Sequence, residues 1–325
     1  MKLTVIIPTV KADHALDECL ASLLAQTFTD FEIVVVKNGP ARGATLPDVR
    51  VIENEENAGY GVAVNQGVRA STGDMILALN DDTVLDSRCL EKLVAAMEAR
   101  YEIGMCAPQI RLFDTGNIDS AGLLIARDGT SKQRFHGQPA TSAPRTSHAL
   151  LPSGCAALYR RAMLDEIGLF DPDFFLYCED TDLGLRARWK AWECMYVPDA
   201  IVEHRYSHSS TGASALKAYY VERNRILVVI RNFPLRALLA APFHSLVRYF
   251  WHWNLKRQGK GLASTYNGDE SIASILFRAW RDALRRLPAA WRERRAIQKG
   301  ARLTPQQFEK LLASYRISAR EVASQ

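Results

Sequence analysis

Apolar positions in the first third of the chain fall into short runs separated by stretches of helical spacing. Residues 3–7 are an apolar run ended by Pro8-Thr9, and Leu16, Leu20, Leu23 and Leu24 recur at the interval of an amphipathic helix. Residues 31–36 read as a second strand, closed by the turn Asn38-Gly39-Pro40, and residues 49–53 as a shorter third. Asn57-Ala-Gly59-Tyr-Gly61 then leads into a helix reaching Asn65 and Gly67. Residues 75–79 are apolar at every position, the pattern of a strand covered on both faces. Leu90, Leu93, Val94 and Met97 mark a further helix, which Asp86 or Ser87 can cap. This alternation predicts an α/β fold with a parallel, doubly wound sheet.

The later pattern is less regular. Residues 103–112 read as a strand, whereas residues 116–147 are rich in Gly, Ser, Thr and Pro and suggest hairpins and a mobile loop able to close over a substrate. Residues 150–159 return to a strand or a turn into one. Gly154 within them suits either a close approach to a ligand or tight packing. A short helix over 160–167, a helix from Glu179 to about Trp192 and strand-like residues 195–197 and 201–203 follow. Tyr219 begins a helical stretch that Pro234 ends or kinks.

Composition narrows the class. With 325 residues, 48% hydrophobic and 24% charged, the chain has the makeup of a soluble globular protein of one large or two modest domains. The net charge of +5 matters chiefly through its placement: nine Lys or Arg against two acids lie between 278 and 302. With Tyr249, Phe250, Trp251 and Trp253 upstream, that run reads as an element lying on a membrane surface. A solvated helical face with tryptophans in a local core explains it equally well. No recognised nucleic-acid module accompanies the charge. Six cysteines without a C-x-x-C pair indicate neither a zinc site nor a disulfide framework, and point to a reducing cytoplasm. No signal peptide precedes residue 3, and no apolar run approaches the ~20 residues of a membrane span.

The sharpest chemical signal is Leu79-Asn80-Asp81-Asp82-Thr83, where an apolar strand stops at two adjacent carboxylates. Ligands of open α/β sheets bind at such carboxyl ends, and a hard divalent cation takes one or two carboxylates plus diphosphate oxygens. A turn with solvated acids is the plainer alternative. A second acidic cluster, Glu179-Asp180-Thr181-Asp182, opens a helix. Capping needs fewer acids than three in four residues, and an ionised carboxylate there can act as a general base. His204, a strand-end histidine, suits a structural hydrogen bond or a metal already held by Asp82. Gly59 and Gly61 do not make a dinucleotide loop, because Val64 stands where the third glycine belongs.

Together, Val5-Ile-Ile-Pro-Thr9, Asn38-Gly39, Asn57-x-Gly59 to Asn65-x-Gly67, Leu79-Asn-Asp-Asp-Thr83, Ser153-Gly154, Glu179-Asp-Thr-Asp-Leu183 and His204 to Ser210 resemble the inverting glycosyltransferases of family 2, most closely the rhamnosyltransferase-like branch. The resemblance covers about residues 3–235 and implies a GT-A fold: a doubly wound mixed sheet flanked by helices, with a C-terminal helical extension. It implies a transferase domain over 1–235, with a nucleotide-sugar half to 100 and an acceptor half from 101. Residues 236–325 are then a helical, basic, membrane-associating region. The family's metal-binding aspartate falls on Asp82, its metal-binding histidine on His204 and its catalytic base on Asp180. Nucleotide-sugar contacts fall on Pro8, Thr9, Asn38, Asn57, Gly59, Asn65, Asn80 and Asp81, and acceptor contacts on Gly154, Glu179 and Asp182. Two positions depart from the family: Asn80 replaces the first acid of D-x-D, and Lys37 replaces the aspartate that contacts the pyrimidine.

The implied activity is an inverting transfer with Mg²⁺ or Mn²⁺, of L-rhamnose from dTDP-rhamnose or of a hexose from UDP. The implied acceptor is a hydroxyl of a glycan or lipid-linked glycan in cell-surface polysaccharide synthesis. The expected partners include an anionic membrane surface at the inner face of the cytoplasmic membrane and exclude nucleic acid; an oligomer is compatible. A nucleotidyltransferase acting on sugar phosphates could share the sheet and the acids, but Pro8-Thr9-Val10-Lys11 is a poor phosphate loop. A non-catalytic nucleotide- or membrane-binding protein would need neither Asp180 nor His204.

Overall fold

The structure, a computed structural model, describes residues 1–39, 49–145, 147–205, 214–261, 264, 266 and 268–324. Pro40, His208 and Ser210 lie outside the described residues. The chain forms two compact units: residues 1–123, 133–175 and 192–208 make the first, and residues 124–132, 176–191 and 209–325 the second.

The first unit is built on a mixed sheet of ten strands. In chain order its elements are β1 (Leu3–Thr9), α1 (His14–Leu24), β2 (Phe31–Asn38), β3 (Arg50–Asn54), α2 (Tyr60–Arg69), β4 (Met75–Leu79), β5 (Thr83–Leu85), α3 (Cys89–Glu98), β6 (Ile103–Leu112) and β7 (Ile118–Ser120). After a hairpin of β8 (Leu123–Ile125) and β9 (Ser131–Gln133) come β10 (Ser147–Ala149), β11 (Ala156–Arg160), α4 (Arg161–Ile167), α5 (Glu179–Trp189), which belongs to the second unit, and β12 (Glu193–His204). The sheet order is β10-β12-β6-β11-β4-β1-β2-β3, with β5 on β12 and β7 on β6. Strands β4, β1, β2 and β3 are parallel, as the alternation predicts. Antiparallel β11 then makes the sheet mixed.

Side-chain alternation sets the layers. Val5, Ile7, Leu77 and Leu79 join Leu16, Leu20, Leu23, Leu90 and Leu93 from α1 and α3 in one buried cluster. Ile6 points the other way, against α2, where a Cβ on Gly67 would come within 2.5 Å of Ile6 Cγ2. Each such buried aliphatic side chain contributes about 1.5–3 kcal/mol, which is what holds the strand ends in register. Pro8 continues β1 instead of ending it. The β1–β4 ladder stops at Ile6 with Ala78, so the missing N–H of Pro8 removes no bond on that side. The residues expected to form two strand fragments at 195–203 are one strand, β12, with an irregularity between Val197 and Ile201.

The second unit is helical. Its long helices are α6 (Ala215–Asn232) and α7 (Leu235–Arg257), followed by α8 (Ile272–Arg285), α9 (Leu287–Lys299), α10 (Pro305–Ser314) and α11 (Ala319–Ser324). Trp189 of α5 stacks on Phe308 of α10 at 3.9 Å and donates to Asn232 O at 2.8 Å. Helix α5 stops at Trp189, three residues before the expected end, and Ala191 follows with φ 62°. Much of the basic run is paired: Arg278 with Glu270, Arg281 and Arg285 with Asp282, while buried Arg294 donates to Ile230 O.

Candidate active site

Strand pairing assembles a cluster from three distant parts of the chain. The turn after β4 is closed by the Thr83 hydroxyl donating to Asn80 O at 2.8 Å, with the Cys19 sulfur of α1 beneath it, 3.8 Å from the same oxygen. β5 runs antiparallel to β12 with Thr83 opposite His204, so Asp82 meets the end of β12. β12 also lies parallel to β6 with His204 beside Leu112, and β7 folds back on β6. This brings Asp119, the middle residue of β7, to His204. His204 Nδ1 donates to Asp119 Oδ2 at 2.8 Å, and Nε2 lies 3.4 Å from Asp82 Oδ1.

Asp82 and Asp119 are buried, the His204 side chain is 12% exposed, and Asp82 Oδ1 takes no hydrogen bond. Burial opposes a charge on His204, yet Cys155, and after it the carboxylates of Asp119 and Asp82, outweigh it and raise its pKa. Burial raises Asp119 as well, but His136 and His204 outweigh it and bring its pKa below the ordinary value. Asp81, more open, has its pKa raised by burial, with the Thr9 hydroxyl opposing and Asp82 and Asp13 adding repulsion.

These residues fit a divalent cation. A buried carboxylate oxygen without a hydrogen bond faces an imidazole nitrogen whose other nitrogen is oriented by a carboxylate, the usual second layer of a metal ligand. Among the described residues no three His, Cys, Asp or Glu surround a metal position. The pair therefore suits a hard cation that completes its shell with diphosphate oxygens and water.

Of the expected donor contacts, several are committed to the scaffold. Asn38 donates to Asn57 Oδ1 at 2.9 Å and Gly59 O at 3.2 Å, and accepts from Ala58 N at 2.9 Å, so it shapes the loop ahead of α2. Asn57 Oδ1 also accepts from Gly59 N. Gly59 has φ 90°, and a Cβ there would fall 2.5 Å from Phe175 O. Asn65 spends both ends of its amide on the Phe170 backbone, at 2.7 and 3.0 Å. It ties α2 to the segment carrying Phe170 within the unit. Thr9 Oγ1 accepts from Ala12 N, leaving Pro8 and Thr9 at the strand end beside Asp81. Lys37 is buried and donates to Glu53 at 2.9 Å. Gly154 O accepts from the Tyr60 hydroxyl at 2.6 Å.

Residues 4–168 match Glycosyl transferase family 2. The chain is 31% identical over 222 residues to the uncharacterized glycosyltransferase YwdF of Bacillus subtilis (strain 168), across 66% of this chain and 78% of that protein. The chain belongs to glycosyl transferase family 2. Another relative is the N-acetylglucosaminyl-diphospho-decaprenol L-rhamnosyltransferase of Mycobacterium tuberculosis (strain CDC 1551 / Oshkosh), 29% identical over 256 residues, 67% of this chain and 82% of that one. Two solved glycosyltransferase structures share the fold. GalNAc-T7 with UDP, GalNAc and Mn²⁺ superposes with a TM-score of 0.59 at 17% identity, over 87% of this chain and 54% of that one. S. aureus TarS 1-349 superposes with a TM-score of 0.56 at 18% identity, over 97% and 91%.

In this family 2 chain the second acidic cluster sits in the second unit, on α5. The backbone arrives there through Tyr177 and Cys178 with φ of 66° and 67°, after Phe175 with φ 61°. Left-handed conformations at non-glycine residues cost about 1–3 kcal/mol each and collect at functional sites. Buried Asn224 of α6 holds the bend, donating to Leu176 O at 2.8 Å and Tyr177 O at 2.7 Å. Asp180 Oδ1 accepts from Thr181 N at 2.6 Å and the Thr181 hydroxyl at 3.1 Å, and that hydroxyl lies 3.0 Å from Ser131 Oγ.

The three acids of α5 differ in kind. Glu179 is buried with Oε2 unbonded, and burial together with the charge of Asp180 pushes its pKa up to about 8. At neutral pH it keeps its proton. Asp182, expected to contact the acceptor, is fully buried and held by Arg186 at 2.8 Å, Arg231 at 3.3 Å and Asn232 at 2.9 Å. Those cations outweigh burial and lower its pKa. Its carboxylate joins α5 to α6. Sequence reasoning missed Asp119 and Asn224. The signal for each was faint, a lone acid in Ile118-Asp-Ser120 and an amide within Glu222-Arg-Asn-Arg225.

Proposed function

We propose that this glycosyltransferase transfers a sugar from a nucleotide-sugar, with inversion, to a hydroxyl of a glycan or lipid-linked acceptor in cell-surface polysaccharide synthesis. The observation that carries the reading is the Asp82, His204 and Asp119 cluster at the end of β4. L-rhamnose from dTDP-rhamnose is the first donor to test, because the mycobacterial relative is named a rhamnosyltransferase; a UDP-hexose is the second. The proposed transferase portion spans residues 1–235 and a membrane-associating portion residues 236–325.

In this reading Asp82 and His204 hold Mg²⁺ or Mn²⁺, with Asp119 fixing the tautomer and aim of His204. When bound, the cation neutralises charge on the departing diphosphate. Pro8, Thr9, Asn80 and Asp81 border the nucleotide-sugar, and the Asn80 side chain has no hydrogen-bond partner among the described residues. Asp180 takes the proton from the attacking acceptor hydroxyl. Glu179, protonated beside it, spares Asp180 a second negative charge on the same turn. Gly154 remains a proposed acceptor contact.

A panel of nucleotide-sugars with Mg²⁺ or Mn²⁺, scored by thermal shift and donor hydrolysis, tests the reading. One donor should stabilise the protein only with metal present. Stabilisation by every donor without metal, or by none with it, would remove the metal-dependent transferase from consideration.

A further inference from the structure

Helix α7 carries an apolar stripe that stays exposed among the described residues. Leu235, Leu239, Phe243, Leu246, Phe250 and Trp253 recur every three or four residues on one face, each between 54% and 73% exposed. The other aromatics of the helix are used internally: Tyr249 donates to Glu222, and Trp251 lies 5.3 Å from the Arg320 guanidinium. Solvent-exposed apolar stripes of this length mark an interaction surface.

Beside the stripe, within the same unit, is a cavity of about 200 Å³ lined by Arg127, Arg236, Arg316, His244 and Glu309 over an apolar floor that includes Leu312. The cationic groups converge from three segments. Arg236 and His244 lie two turns apart on the flank of α7, next to Leu235, Leu239 and Phe243. Arg127 follows β8, and Arg316 is brought beside it because Ile125 N donates to Tyr315 O at 3.0 Å and Ile317 N to Ile125 O at 3.2 Å. Arg127, Arg236 and Arg316 form no ion pair among the described residues. Asp128, adjacent in sequence to Arg127, is turned inward and consumed by Arg248 at 2.5 Å and Arg225 at 3.7 Å. Glu309 is one carboxylate against three guanidinium groups. The mutual effect is visible: burial, then Arg127 and Arg316, lower the pKa of His244, and burial and Arg127 lower that of Arg316.

An exposed arginine is ordinarily just hydrated. Three that face one small cavity with a single carboxylate among them form a receptor for a phosphate, whose oxygens match the guanidinium fork. An apolar stripe along the same helix supplies what a free phosphate would not need. We propose that the cavity binds the phosphodiester headgroup of an anionic phospholipid while the stripe of α7 lies among the acyl chains. The proposal rests on the membrane-associating role proposed above and gives it a specific site.

The test uses the full chain and sedimentation with vesicles of phosphatidylcholine alone or mixed with phosphatidylglycerol, at low and physiological salt. Wild type should bind the mixed vesicles at least about tenfold more tightly than the neutral ones. Arg127→Gln/Arg236→Gln/Arg316→Gln, checked for an unchanged melting temperature, should weaken binding to the mixed vesicles roughly 10²-fold and remove the preference. Arg236→Gln alone gives an intermediate result if the triple variant does not fold. Leu239→Ser/Phe243→Ser should lose binding to both. Wild-type affinity of the arginine variants, or equal binding of wild type to both vesicles, overturns the headgroup site and leaves the peripheral membrane role standing. Failure of wild type to bind either vesicle overturns both. Stabilisation by millimolar inorganic phosphate without vesicle binding assigns the cavity to free phosphate and overturns the lipid.

Discussion

Asp82 holds one buried carboxylate oxygen without a hydrogen bond, 3.4 Å from His204 Nε2. Asp82→Ala should abolish metal-dependent donor binding, read by calorimetric titration with and without Mn²⁺. Asp119 touches no proposed ligand and acts through His204. Asp119→Asn should therefore weaken the metal by roughly 10- to 100-fold in the same titration, with the fold unchanged by circular dichroism. Wild-type metal affinity in that variant would make the Asp119 contact merely structural. Asp180→Asn keeps the shape of the side chain but not its basicity. Donor affinity should survive while turnover falls roughly 10²- to 10⁴-fold. Asp82, Asp180 and His204 could be singled out as candidates in the sequence because each ends an apolar run or opens a helix. Asp119 was not, because its partner lies 85 residues away and the pairing of β7 with β6 creates the contact.

The bend before α5 is an element whose cost is local and whose support is distant. Asn224 answers two carbonyls there, those of Leu176 and Tyr177. Removing it breaks both bonds, at about 0.5–1.5 kcal/mol each. Asn224→Ala should lower the urea midpoint and reduce turnover more than donor affinity; an unchanged midpoint would show that the bend holds itself. Strand and helix ends of the first unit follow the apolar periodicity closely, and β6 coincides with the expected residues 103–112. Helix α5, expected from its acidic opening at Glu179, starts there and ends three residues early at Trp189. It is buried nearly all round, with Asp182 and Arg186 paired inside, so no face of its sequence is distinctly apolar.

At the level of the whole molecule, charge is stored in the interior. Glu222 lies between Arg225 and Arg248, and Asp128 pairs with the same two arginines. Burial alone would raise Glu222, but the arginines prevail and lower it to about 2. A carboxylate whose folded pKa is depressed contributes stability above its unfolded value of about 4.5 that is lost as pH falls toward 2. Glu179 acts in the opposite sense: its folded pKa of about 8 makes stability decline as pH rises from about 4.5 through 8. Thermal melts across pH should therefore peak on the acidic side of neutrality. Glu222→Gln should flatten the acid limb at a cost of roughly 3–5 kcal/mol for the broken buried pair, and an unaltered limb would assign acid sensitivity elsewhere.

The second unit draws on residues 124–132 and 176–191 as well as the C-terminal helices, and this ordering has a consequence during synthesis. When α5 leaves the ribosome, Asp182 has Arg186 on its own helix, but Arg231 and Asn232 are still about forty-five residues from being made. Until they emerge, a carboxylate destined for the interior and the broad face of Trp189 wait in water. A nascent chain paused at that length is a natural client for chaperones. Silent codon changes that lengthen such a pause should raise the fraction of insoluble protein without altering a single residue.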